Sequence, residues 1–219
     1  MADLFPVTER TRVVREANRA VYDRAIIYKI LDEAFVCHVG FATETQPFVI
    51  PTMFARIGDD LYFHGSAASR MLRGLSAGLP VCITVTLIDG LVLARSVFNH
   101  SMNYRSVVAL GNATLIDEPT EKLRALQAFT EKLIPGRWEE ARRPNEKELK
   151  ATNVLKLPLT EVSAKVRTGG VEDDADDYAF SVWAGIVPLR LVADAPERDD
   201  RCDAAIPTPD YAKNFRSGS

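Results

Sequence analysis

Two polar stretches interrupt an otherwise apolar, strand-like sequence, and they hold the side chains that could do chemistry. The first is Leu61-Tyr62-Phe63-His64-Gly65-Ser66-Ala67-Ala68-Ser69-Arg70, an apolar strand, a small-residue turn and the opening of a helix. Such a turn leaves backbone N–H groups pointing outward at a helix N-terminus, which suits an anion. Arg70, about one helical turn in, could close its guanidinium over a phosphate. An ordinary strand–turn–helix junction with Ser66 as N-cap accounts for the same residues. The second stretch is His100-Ser101-Met102-Asn103-Tyr104-Arg105-Ser106, in which an arginine and hydroxyls again suit a dianion and Tyr104 offers a ring for stacking. A hairpin mouth whose polar groups satisfy each other or water explains it equally well. His64 titrates in the range of a general acid or base, which makes it a candidate catalytic residue. It could as well hydrogen-bond a cofactor or the backbone.

Other chemistries lack their patterns. There is no GxGxxG after a strand, no GxxxxGK[ST], no HExxH and no GxSxG elbow. Cys37, Cys82 and Cys202 show no CxxC spacing, and His38, His64 and His100 are too scattered to read as ligands, so no metal site is expected. The acidic run Glu172-Asp173-Asp174-Ala175-Asp176-Asp177 lacks the glycine turn and distant glutamate of a calcium loop and reads as a solvated loop. A net charge of −3 argues against nucleic acid as a partner. No apolar run approaches the roughly 20 residues needed to cross a bilayer. The start, Met1-Ala2-Asp3-Leu4-Phe5-Pro6, does not read as a secretory signal, so a cytoplasmic protein is expected.

The elements that must position these residues can be read in order. Residues 1–20 form a polar, arginine-bearing N-terminal arm, extended against the body or mobile. Asp23 caps a helix to about Ala34, with Ile26, Ile27, Ile30 and Leu31 on its apolar face. Strands are expected at 35–41, 47–56 and 61–64, separated by turns at 43–46 and 58–60. Pro51 cannot donate to a ladder, which predicts a bulge or a sheet edge there. A short helix from Ser66 to about Ala77 turns Met71, Leu72 and Leu75 inward and ends at Gly78. Asp89-Gly90 reads as a hairpin turn between strands at 81–87 and 91–97. Residues 100–106 form the mouth of a strand at 107–116, and Pro119 opens an amphipathic helix over 119–134. A short helix at 144–151 and strands at 154–159, 162–166 and 180–187 follow, then an irregular tail over 195–219. Strands dominate without regular βαβ alternation, so the expected fold is mainly β with flanking helices, a mostly antiparallel barrel spanning 21–194.

The sequence over about 22–115 resembles the FMN-binding split-barrel superfamily that includes pyridoxamine 5′-phosphate oxidase, most nearly its nitroimidazole-resistance and flavin-nucleotide-binding subgroup. Phe48-Val49-Ile50-Pro51-Thr52 and the two polar stretches carry the resemblance, together with Val162-Ser163-Ala164-Lys165-Val166-Arg167-Thr168-Gly169 and Val182-Trp183-Ala184-Gly185. It implies a six-stranded antiparallel split β-barrel and a homodimer with flavin at the subunit interface. It places His64, Gly65, Ser66 and Arg70 around the FMN phosphate and ribityl chain. Val49, Ile50, Pro51 and Thr52 would face the ring, Tyr104, Arg105 and Ser106 would reach the flavin, and Trp183 would approach it from the other subunit. At Phe54 and Met71 the true oxidases carry basic residues, so the resemblance implies FMN binding and not pyridoxamine-phosphate oxidation. The expected activity is FMN-dependent reduction of a small, nitro-type organic substrate with NADH or NADPH. A non-catalytic flavin carrier or sensor is one alternative. A split barrel using a deazaflavin or haem is another.

Overall fold

The computed structural model describes residues 3–44 and 46–215. Met1, Ala2, Thr45 and 216–219 lie outside the described residues, and with them the start of the arm, one position of the 43–46 turn and the end of the tail. Ten strands form one antiparallel sheet: β1 (Ala20–Val21), β2 (Val36–Thr43), β3 (Gln46–Ile57), β4 (Asp60–Ser66), β5 (Pro80–Leu93), β6 (Ser101–Asn112), β7 (Thr114–Leu115), β8 (Thr152–Pro158), β9 (Glu161–Arg167) and β10 (Gly185–Pro188). Their order is β1-β9-β6-β5-β2-β3-β4-β8-β7, with β10 added to β5, and the sheet does not close. The expected mainly β, antiparallel split barrel is thus present. The count exceeds six largely because the short strands β1, β7 and β10 extend the sheet at its edges.

The described residues also form six α-helices: α1 (Arg24–Glu33), α2 (Arg70–Ser76), α3 (Pro119–Leu133), α4 (Arg137–Glu140), α5 (Glu146–Ala151) and α6 (Asp210–Lys213). The Asp23 side chain accepts from the Ile26 N–H and starts α1, which buries Ile27, Ile30 and Leu31 but leaves Ile26 exposed. Those three join Cys37, Val39, Phe54, Leu61, Phe63, Leu72, Ile83 and Val107 in the principal core. A second layer, formed by Ala55, Tyr62, Ile116, Ala125, Phe129 and Val154, fastens α3 to the opposite face of β3, β4 and β8.

Several sequence expectations are corrected. Asp89-Gly90 does not reverse the chain. β5 runs through it with a bulge between Ile88 and Gly90, because β6 pairs along both halves and Asp89 binds Arg105 of that strand. Residues 101–106 are therefore paired strand, not a mouth. The last strand is only four residues long, since residues 180–184 have no ladder partner. Phe5 is 1% exposed, with Tyr28 edge-on at 5.9 Å, and β1 pairs with β9, so the described part of the arm lies against the body. In the acidic run, Asp173 is not solvated: its side chain is enclosed and accepts from the Arg95 and Ser96 N–H groups and the Arg95 guanidinium. The tail is irregular apart from α6; Tyr211 holds it to Arg137 and Glu140, and Arg198 ties it to itself through the Ile206 carbonyl.

Candidate functional site

The sheet opens between β3 and β4. β3 pairs with the whole of β2 over Gln46–Met53, from Thr43↔Gln46 to Val36↔Met53, but with β4 only from Phe54↔Phe63 to Ile57↔Asp60. From His64 onward β4 follows β8 instead. Val49, Ile50, Pro51 and Thr52 therefore lie on a stretch whose β4 side is free, and Val49 is 67% exposed. The free side explains how Pro51 is tolerated, with unbroken register toward β2 and no bulge.

At the far side of this opening the strand persists longer than its sequence suggests. The Ala67 N–H donates to the Ala151 carbonyl, so the ladder carries on past Ser66 and delays the helix. Ser69, not Ser66, occupies the N-cap of α2, and Arg70 is its first residue rather than one turn in. The Ser66 hydroxyl instead accepts from the Ala68 N–H at 3.2 Å. Gly65 is explained by packing, because a Cβ there would stand 3.2 Å from Leu72 Cδ1. Arg70 is exposed, its guanidinium carbon 5.0 Å from the centre of the Phe48 ring. Among the described residues it has no hydrogen bond or carboxylate partner.

His64 is not brought to Arg70. Side chains alternate along β4: Leu61 and Phe63 enter the principal core, while Tyr62 belongs to the α3 layer. His64 follows Tyr62, its ring 4.4 Å from Phe129 of α3. It lines an open cavity of about 420 Å³ with Met53, Leu126, Leu133, Trp138 and Arg142. Its Nδ1 is enclosed without a hydrogen-bond partner, and burial lowers its pKa by disfavouring the charged ring. At the cavity rim Arg142 pairs with Glu148, whose carboxylate also receives the Asn145 N–H and is held down to about 2. Sequence reasoning missed Phe129, Trp138 and Arg142, which no local motif connects to His64.

The second polar stretch is divided by the period of β6. Tyr104 and Ser106 stand opposite Ile88 and Thr86 on one face, and the register β3-β2-β5-β6 places Pro51, His38 and Thr84 in a row across that same face. Arg105 points the other way, with core residue Val107. Its guanidinium is bound in bidentate fashion by Glu33, at the end of α1, and by Asp89 at 2.7 and 2.9 Å. The Glu33 contact, with Asp89 next, pushes its pKa further up. The structure thus gives Arg105 two carboxylate partners within its own chain. Trp183 is exposed ahead of β10, its ring folded over its own Gly185, where a Cβ would come within 2.7 Å. Among the described residues no group of His, Cys, Asp or Glu could hold a metal ion, and no helix is long and apolar enough to cross a membrane.

An antiparallel sheet that parts between two strands, with a free strand edge on one side and an unpaired arginine on the other, defines a split-barrel protein of the flavin-binding type. The family model described as pyridoxamine 5′-phosphate oxidase matches residues 23–166, and the chain belongs to that family. Among solved structures, the chain is similar to the flavocytochrome Anf3 from Azotobacter vinelandii, with 44% identity and a TM-score of 0.90 over 95% of this chain and 97% of that one. It is also similar to an FAD and haem binding protein from Mycobacterium smegmatis, with 34% identity and a TM-score of 0.87 over 91% and 98%. A protein from Bacteroides thetaiotaomicron described as a 5-nitroimidazole antibiotic resistance protein shares 26% identity and a TM-score of 0.55 over 67% and 86%. No curated protein matches the sequence.

Proposed function

We propose that the chain is a redox flavoprotein that binds FMN or FAD at the split and passes electrons from a nicotinamide donor to a small organic acceptor of the nitro type. The observation that supports this best is Arg70, a cation without a counter-ion beside the free edge of β3. There it can take a phosphate. The edge of β3 at Val49–Thr52 offers backbone groups to a planar ring. A bound flavin supplies hydride and single-electron chemistry, while the protein's part is to position it and tune its charge. The uncovered face bearing Val49, Pro51, Tyr104 and Ser106 suits a second copy of the chain, with Trp183 of each protomer offered to the other's flavin. The two relatives that share most of this chain's length are named for flavin-haem and FAD-haem contents, which favours FAD over FMN.

A haem-binding reading has its own observation. Burial lowers the His64 pKa, its Nδ1 lacks a hydrogen-bond partner and its ring lines a largely apolar cavity, which would suit an imidazole that holds haem. His64 would be the ligand, Phe129 would fix its ring plane, and Met53, Leu126, Leu133 and Trp138 would exclude water from it. Both readings are tested by spectra of the purified protein before and after addition of FMN, FAD and hemin. Arg70→Ala should weaken flavin binding about 10- to 100-fold, the loss of one charge-assisted contact. His64→Ala should abolish any Soret band and leave the flavin bands intact. An unchanged flavin affinity in Arg70→Ala refutes the phosphate placement, and a Soret band that survives His64→Ala refutes the haem ligand.

A further inference from the structure

A separate cavity of about 330 Å³ lies between the end of α1, strand β3 and helix α3, with Phe215 of the tail at its edge. Its charged residues are Asp32, Glu33, Arg56, Glu131 and Lys132. Four of these five have polar partners. Asp32 forms a bidentate pair with Arg56, Glu33 is bound by Arg105, and Glu131 accepts from the Gly136 and Trp138 N–H groups. Lys132 has no carboxylate within ion-pairing distance among the described residues; its Nζ donates to the Leu31 carbonyl at 2.7 Å and stands 3.6 Å from the centre of the Phe54 ring. Asp32 acts on Lys132 across the cavity and raises its pKa, but is itself paired with Arg56; Cys37 is a further titratable neighbour, and burial pushes that thiol up to about 12, which keeps it protonated.

From this geometry we propose that Lys132 is a covalent modification site, an amine that captures small aldehydes entering the cavity as an imine. No carboxylate holds the third proton on Nζ, and the neutral amine keeps its hydrogen bond to Leu31 while its lone pair is released. Burial brings the group down to about 8, so an appreciable fraction is neutral at physiological pH. The lone pair adds to the aldehyde carbon and the C=O π electrons pass to oxygen; one proton from Nζ and one from solvent turn that oxygen into water, which leaves as C=N forms. No oxidant or reductant takes part, and the protonated imine retains one N–H for the Leu31 carbonyl. The size of the cavity, about 330 Å³, suits a short aldehyde.

The test uses the full-length, flavin-loaded protein at pH 7.5 with propanal and sodium cyanoborohydride, which reduces any imine to a stable amine. Peptide mass mapping then gives the modified fraction at each lysine. Neutral fractions at this pH differ on the order of 100-fold between an amine near 8 and one near 10.5, and restricted access reduces that advantage. Lys132 is expected to be labelled at least about tenfold faster than exposed Lys29, Lys147 and Lys150, with the preference erased in urea. Labelling of Lys132 no faster than those three, or a preference that survives unfolding, overturns the proposal. Lys132→Arg should remove the dominant adduct. Should that variant fail to fold, the wild-type map decides alone.

Discussion

Arg105 separates a structural role from a cofactor role most sharply, because the resemblance assigns it to flavin and the structure spends it on two carboxylates. Arg105→Met keeps the stem and deletes the guanidinium, which is 22% exposed, leaving Glu33 at 28% and Asp89 at 33% facing each other. Hydrogen bonds to charged groups contribute about 1.5–3 kcal/mol when enclosed. At this exposure solvent screening brings each carboxylate contact toward about 1 kcal/mol. Repulsion between the two abandoned acids adds to the loss, since breaking an enclosed pair costs more than never having built it. The expected destabilisation is about 2–4 kcal/mol, or a drop of roughly 5–12 °C in Tm for a chain of this length. Thermal unfolding of the flavin-free protein measures it, and adding Glu33→Gln and Asp89→Asn should recover part of the loss. Flavin titration of Arg105→Met should give a Kd within about twofold of wild type. A variant that melts with the wild type while its flavin Kd rises tenfold would refute the clamp and restore Arg105 to the flavin.

Other expectations rest on single contacts. Phe5→Ala should lower the urea midpoint by the equivalent of about 3–4 kcal/mol, as for a fully enclosed aromatic; no change would mean that the arm is not seated. At Asp173 burial pulls the carboxyl upward, but the Arg95 and Ser96 N–H groups and the Arg95 side chain outweigh it and hold the pKa low. Its stabilisation is complete above the unfolded carboxylate range near pH 4 and is lost as pH falls through the lower folded value. Asp173→Asn should therefore flatten the acid limb of a Tm-against-pH profile. Lys132 has the same sign: its folded pKa of about 8 lies below the unfolded 10.5, so stability should rise between those values. Wild type should gain about 1–3 kcal/mol from pH 7 to pH 10, and Lys132→Met should lack that gain.

Local chemistry made the elements legible where it was self-sufficient. Asp23 as a cap, Pro119 at the first position of α3 and Gly78 at φ +97° each act within a few residues, so their sequence signatures translate directly. The free edge at Pro51 was legible for the same reason. What escaped notice depends on partners far along the chain. Asp89-Gly90 has the composition of a turn, but β6 pairs across it and Arg105, 16 residues on, captures the aspartate. The onset of α2 moved because Ala151, more than 80 residues away, extends the strand at Ala67. Asp173 looks like one acid among several until Arg95 and the backbone of Ser96 enclose it.

The same period-two logic decides how many sites this fold holds. The run from His64 to Arg70 reads as one constellation because its residues are adjacent, but a strand sends neighbours to opposite faces. Gly65 meets Leu72 of α2 on the core side, and His64 meets Phe129 of α3 on the other. Arg70 sits over Phe48, which packs against the principal core. One short strand thus turns His64 toward its cavity and leads to Arg70 beside the split. A ligand held by Arg70 and a ligand held by His64 would then lie on different faces of β4. Occupancy of one should then leave the affinity of the other nearly unchanged, unless binding moves β4 itself. That independence is what a protein carrying two redox groups would require, and what a single-flavin enzyme would not.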